Sequence, residues 1–304
     1  MQKERTVLSE KAALFKNNAS RIHEFKKALR ALNAGGITPI VLKGAYLSEK
    51  IYRDLGVRRF DDIDIMVKKE EFPGTESILF GLGYSHTAPQ RVPYSLKFGS
   101  QVSFIKGVSV IDVHWDIVDL DRFNMVTAIE VNDFWEHSRV IDLFDGKVAE
   151  FSNEYLLLYL LLHLALQHSF AGSFLYEDIK EVVRQSKIGW DEIVNKARQY
   201  KVKKPVYFGL YYSREFCGAE IPDKTLLSLK PKRWGVVDQY VIGILSKRKY
   251  FNKMDHLIMP LMLDSWKDRF CFLLGNPKGS PGYIFHSFNL IIDALKKLPL
   301  LLKN

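Results

Sequence analysis

The run Asp62-Ile63-Asp64-Ile65-Met66-Val67 constrains this chain more than any other stretch. Aspartate is disfavoured inside strands, yet two stand here in an apolar, partly β-branched frame. Side chains at i and i+2 share one face of a strand, roughly 7 Å apart along it. Asp62 and Asp64 therefore point together, with Ile63, Ile65 and Val67 on the opposite face, and the alternation predicts a half-covered strand. Two clustered carboxylates repel each other unless a cation sits between them. Oxygen ligands with room left for phosphate groups suit Mg²⁺. Ile111-Asp112-Val113-His114-Trp115 offers a third carboxylate on another strand. Three carboxylates from adjacent strands could hold two Mg²⁺ ions (Mn²⁺ as substitute) about 3.5–4 Å apart, the arrangement that clamps an in-line displacement at phosphorus. The competing reading makes Asp62 and Asp64 solvated edge-strand residues. Asp112 and the upstream Lys43-Gly44 turn weigh against it. His114 shares a strand face with Asp112 and Asp116, so it could position an acceptor, orient Asp112 or make a structural hydrogen bond, while Trp115 faces the core.

The surrounding pattern predicts a small mixed sheet with helices packed on it. Ser20 to Asn33 has helical apolar spacing through Ile22, Phe25, Leu29 and Leu32, and Gly35-Gly36 ends it. Ile37 to Leu42 reads as a buried strand. Lys43-Gly44 then turns the chain into a helix over Ala45 to Asp54. After the Asp62 to Val67 strand comes a helix around Glu70 to Leu82, closed by Gly83. Gln101 to Ile105 and Ser109 to Ile117 form a hairpin through Lys106-Gly107. From Ser152 onward strand signals vanish and helical patterns dominate, with Ser152 or Asn153 as the first cap. The expected fold class is α+β. Residues 1–150 form a sheet domain, residues 151–304 a helical one, and Asp145-Gly146 makes a turn just before the boundary.

Composition narrows the setting. Cys217 and Cys271 stand far apart with no CxxC partner, which excludes a disulfide framework or zinc ribbon and suits a reducing cytosol. Met1 to Lys11 is charged and lacks the apolar stretch of a signal peptide. The apolar run Tyr155 to Leu166 is too short to span a bilayer at about 12 residues, so no transmembrane segment is expected. A net charge of +9 points to an anionic partner. The excess is concentrated late, in Lys224, Lys230, Lys232, Arg233, Lys247, Arg248, Lys249 and Lys253. A solvated surface is the plainer account of those residues. His163 and His168 invite a metal reading, but a spacing of five does not align on one face of an α-helix. Tyr176, Glu177 and Asp178 open the next helix, either lining a cleft or following the acidic preference of a helix start. The amphipathic segment Ile284, Phe288, Ile291, Ile292, Leu295, with Lys296 and Lys297 beside it, is better suited to packing on the helical domain than to peripheral membrane contact.

Taken together, these motifs resemble a largely bacterial family of uncharacterised nucleotidyltransferases within the DNA polymerase β-like superfamily. Its members carry a leucine-lysine-glycine turn, an arginine before a DIDILV-like strand, and a D-[LV]-H-W strand. Here these are Leu42-Lys43-Gly44, Arg58, Asp62 to Val67, and Asp112-Val113-His114-Trp115. The resemblance continues through Phe134-Trp135-Glu136-His137, Gly146-Lys147-Val148 and the His163/His168 helix. Lys43-Gly44 replaces the Gly-Ser turn commoner in the superfamily, a form also found in toxin-like relatives. The resemblance implies transfer of a nucleoside monophosphate from an NTP such as ATP to a hydroxyl of a small molecule, glycan, RNA end or protein. Asp62, Asp64 and Asp112 would be the catalytic metal ligands. Gly44 would let the backbone approach phosphate, and Lys43 and Arg58 would balance charge on the β- and γ-phosphates, with Arg59 the competing assignment. The alternative is an inactive module of the same fold that binds nucleotide or nucleic acid.

Overall fold

In the computed structural model, the described residues are 2–118, 121–231, 243, 260 and 263–274. The basic residues Lys232, Arg233, Lys247, Arg248, Lys249 and Lys253 and the amphipathic segment from Ile284 to Lys297 lie outside them. The chain divides into two compact units. The first comprises Met1–Ile117 and Val131–Ser152; the second takes Val118–Glu130 and the chain from Asn153 onward.

The first unit is built on a seven-stranded mixed sheet in the order β3-β4-β5-β2-β1-β7-β6. The strands are β1 (Ile40–Val41), β2 (Ile63–Met66), β3 (Ser85–His86), β4 (Gln101–Lys106), β5 (Ser109–His114), β6 (Ser138–Leu143) and β7 (Gly146–Phe151). Helix α1 (Gln2–Ala34) starts well before the predicted Ser20 and lays Phe25, Leu29 and Leu32 against the core. Gly36 ends that helix with φ 79°, a left-handed conformation glycine adopts without steric cost. Helix α2 (Lys43–Lys50) follows β1 directly. The Ile37 to Leu42 run is a strand only at Ile40–Val41; Pro39 before it has no N–H to give a ladder, and the Ile37 carbonyl accepts from the Asn33 side-chain amide at 3.1 Å.

Two features of the sheet differ from the sequence reading. All four residues of β2 are buried, so the strand is covered on both faces rather than one. The cause is position: β2 lies in the interior of the sheet, antiparallel to β1 and parallel to β5. The second difference is the β6–β7 hairpin. Phe144 and Asp145 form its tip, both left-handed at φ 55° and 59°, the geometry that suits a tight hairpin. Asp145-Gly146 is thus part of a sheet connection. Strand β7 reaches the rest of the sheet by pairing parallel to β1.

A buried polar cluster ties α2 to this added hairpin. Glu150 accepts two hydrogen bonds from Arg139, at 2.9 and 2.8 Å, and one from the Tyr46 hydroxyl at 2.9 Å. Burial and the adjacent Glu150 carboxylate push the Tyr46 phenol upward, so it remains a donor. Replacing Glu150 with Ala leaves the buried Tyr46 hydroxyl unsatisfied. The expected loss is about 1–3 kcal/mol, measurable by urea denaturation; an unchanged midpoint contradicts this role for the cluster.

The second unit is helical among the described residues. Helix α3 (Asn153–Leu162) is buried continuously from Tyr155 to Leu162. Its neighbours in this unit include Ser173–Gln185, Trp190–Gln199 and Lys203–Cys217. A helix buried all round, such as α3, reads as the centre of a helical core. No helix among the described residues is long and apolar enough to cross a membrane.

Candidate functional site

The parallel pairing of β2 with β5 sets Ile63 beside Ile111, Asp64 beside Asp112, Ile65 beside Val113 and Met66 beside His114. Alternation along each strand then puts Asp64, Asp112 and His114 on one face of the sheet. Ligand atoms of these three residues lie within 4.8 Å of one another. Asp62, just before β2, adjoins the group and is half-buried.

Hydrogen bonding within the group is uneven. Asp64 Oδ1 takes Lys43 Nζ at 2.9 Å and His114 Nε2 at 2.9 Å. His114 therefore orients Asp64 rather than Asp112, the carboxylate that was one of the options the sequence left open. Asp112 has an oxygen, Oδ1, that is buried without a hydrogen-bond partner. An orphaned carboxylate oxygen of this kind is costly, and a cation is one way to satisfy it.

The electrostatics divide the carboxylates. Burial would raise Asp64, but Lys43 and His114 overcome it and hold the group well below the usual carboxylate range. Asp62 is pushed up to about 6 by burial and by the Asp64 and Asp112 carboxylates. Asp112 is raised by burial and by Asp64, against a hydrogen bond from Ser103. Mutual repulsion of carboxylates beside an orphaned oxygen fits a divalent cation at this place. Asp64, Asp112 and Asp62 would supply oxygens, while His114, its Nε2 engaged with Asp64, would hold that carboxylate in place. An oxygen ligand set suits Mg²⁺, with Mn²⁺ as substitute.

Lys43 and Gly44 deliver the turn beneath these strands. Lys43 is a non-glycine residue at φ 42°, a conformation that costs about 1–2 kcal/mol; its ion pair with Asp64 is the visible compensation. Gly44 has a packing reason to be glycine. A Cβ there would lie 2.5 Å from the Cβ of Phe60, so α2 can approach the loop before β2 only without a side chain. Gly44→Ala is expected to destabilise the protein by about 1–3 kcal/mol through overpacking. Adding Phe60→Leu should not recover the loss in thermal unfolding, because leucine keeps the Cβ that the new methyl meets; no loss in the single variant contradicts the packing account.

The arginines are less centrally placed. Arg59 pairs with Asp61 at 3.2 Å on an exposed surface. Arg58 is half-buried and donates from Nη1 to the Arg59 carbonyl. Its own carbonyl accepts from Asn18 at 2.9 Å and from Ser48 at 3.3 Å, which pins the loop leading into β2. Trp115 is buried, donates from Nε1 to the Gly99 carbonyl at 3.1 Å and meets the Phe72 ring edge-on.

In the helical unit, His163 and His168 come together despite their spacing of five. The chain from His163 to Gln167 is a π-helical turn, in which residues five apart fall into line. Their Nε2 atoms lie 3.0 Å apart. Among the described residues no third metal-type ligand joins them. Tyr176 is buried and donates to the Phe170 carbonyl at 2.7 Å, and Asp178 is buried as well.

A mixed sheet with flanking helices, carrying carboxylates side by side on parallel strands, is the architecture of an α+β nucleotidyltransferase fold. The comparison with family models agrees: residues 4–218 match the family described as uncharacterised nucleotidyltransferase, and the chain belongs to that family. No curated protein and no solved structure matches the chain.

Proposed function

We propose that this protein transfers a nucleoside monophosphate from an NTP to a hydroxyl group of an acceptor and releases pyrophosphate, using Asp62, Asp64 and Asp112 with a divalent cation. The observation that carries this reading is the in-register pairing of Asp64 with Asp112, with the buried, unpartnered Asp112 oxygen beside it. In the transfer, a bond forms between the acceptor oxygen and the α-phosphorus, and the bond from that phosphorus to the pyrophosphate oxygen breaks. The proton of the acceptor hydroxyl passes to Asp112, the carboxylate next to Asp64 across the paired strands. When bound, the cation supplies charge neutralisation for the triphosphate and polarises the reacting oxygens. Asp62, Asp64 and Asp112 would hold it, and His114 keeps Asp64 oriented. Lys43 and Arg58 serve the β- and γ-phosphates by charge-assisted hydrogen bonds.

In this reading residues 1–150 act as the catalytic domain and residues 151–304 as the acceptor-binding or accessory domain. Mg²⁺ is the expected ion, with Mn²⁺ as substitute, and the cytoplasm the expected setting. The test is incubation with Mg²⁺, each α-labelled NTP in turn, and cell extract, followed by sorting of label into small molecules, RNA and protein. Label in one acceptor class, dependent on the cation, supports the proposal. Nucleotide binding with no labelled product in any class favours the inactive binding module instead.

A further inference from the structure

We infer that Lys43 is a placeholder for the divalent cation at Asp64, so that the triphosphate, by drawing Lys43 away, raises the site's affinity for metal. This inference rests on the reading of Asp64 as a metal ligand. Lys43 is more than a phosphate contact waiting in solvent: its side chain is 14% exposed and that of Asp64 8%, with Nζ 2.9 Å from Oδ1. The same oxygen accepts His114 Nε2 at 2.9 Å. Two donors occupy the two lone pairs of one carboxylate oxygen, so a cation that seeks this oxygen must displace one of them. His114 is fixed on β5, paired in register with Met66. Lys43 sits on a flexible four-carbon stem at the start of α2, and its ammonium can leave without moving the sheet.

Electrostatics set the sign of the coupling. A cation about 2.1 Å from an Asp64 oxygen would lie about 4 Å from an ammonium on the same carboxylate. Repulsion between a divalent ion and the ammonium at that separation weakens metal binding about thirtyfold even at the dielectric of water, and further where water is thinned. A triphosphate offers the ammonium a better partner, removes that repulsion and brings negative charge to the cation. Linkage is reciprocal: nucleotide must tighten metal, and metal must tighten nucleotide, through the same lysine. Lys43 would thus keep Asp64 compensated in the resting protein and disfavour a bare cation in the absence of NTP.

The test is titration with Mn²⁺, followed by calorimetry and by the paramagnetic resonance of the free ion. It is run with and without an ATP analogue that has a methylene bridge between the α- and β-phosphates and cannot be cleaved there. Lys43→Met and Lys43→Gly are expected to bind Mn²⁺ about thirtyfold more tightly than the parent without nucleotide. Lys43→Arg should stay near the parent. The parent should gain affinity when the analogue is added, and the uncharged variants should gain much less. Glycine accepts a φ of 42° without strain, so Lys43→Gly provides a folded comparison if Lys43→Met is lost. Unchanged or weaker Mn²⁺ binding in both uncharged variants, while Asp64→Asn still abolishes binding, overturns the placeholder role and leaves the metal site standing. If the parent binds no Mn²⁺, or Asp64→Asn binds it equally well, the metal reading fails and the placeholder role fails with it.

Discussion

Asp62→Asn and Asp64→Asn are both expected to lose at least about a hundredfold in nucleotidyl transfer, a loss equivalent to about 2.7 kcal/mol of transition-state stabilisation, yet to shift the stability of the metal-free protein in opposite directions. Asp64 is compensated in the resting fold by Lys43 and His114. An amide in its place leaves the lysine beside a neutral group in a nearly dry site, and about 1–3 kcal/mol of stability should be lost. Asp62 is in the reverse position. Burial and two like charges disfavour its ionised form, so a neutral isostere relieves repulsion and should raise stability by up to about 1 kcal/mol at neutral pH. Urea denaturation in the presence of a chelator measures both shifts, and Mg²⁺-dependent transfer measures the chemistry. Full activity in both variants removes the carboxylates from the mechanism. Equal stability shifts of the same sign contradict the electrostatic division between them.

The second large effect is expected at His114. Its ring is 3% exposed and holds Asp64 by one hydrogen bond, and its nitrogen belongs to the compact donor group. Partners that orient a metal-binding side chain typically contribute about 10–100-fold in metal affinity or activity. His114→Phe keeps an aromatic ring and removes the nitrogen. It should therefore weaken Mn²⁺ binding by about 10–100-fold, with transfer falling in parallel. His114→Gln retains a donor and should recover part of both. A merely structural histidine would give Mn²⁺ affinities close to the parent in both variants, with only the unfolding midpoint moved.

How much of this was legible in the sequence depended on distance along the chain. The Asp62 to Val67 run, the Ser109 to Ile117 strand and the closing glycines announce themselves locally and appear near their expected places, although β5 ends at His114. Strand β2 was expected to be half-covered because alternation reports residue type, not the number of neighbouring strands. The β6–β7 hairpin escaped because β6 alternates weakly, with Val140 exposed, and because its tip is Phe144-Asp145 rather than a dipeptide rich in asparagine or glycine. Long-range pairing was the least visible. Position i+2 offers Asp112 as one possible partner of His114, whereas the parallel neighbour brings Asp64 within reach. The sequence suggests a phosphate contact for Gly44 because Phe60, whose Cβ fills the space, lies 16 residues later in the numbering. The His163 and His168 pair was set aside on α-helical geometry, which the π-turn does not obey.

The central claim is transfer of a nucleoside monophosphate, and the most direct measurement follows both ends of the triphosphate at once. Purified protein is incubated with Mg²⁺, acceptor-containing extract, and ATP or another NTP labelled separately at the α- and γ-phosphorus. The expected result is α-label on the acceptor and γ-label in pyrophosphate in equal amounts, both abolished by chelation and by Asp64→Asn. γ-Label on the acceptor, or release of γ-label as orthophosphate with no α-label transferred, would contradict the account.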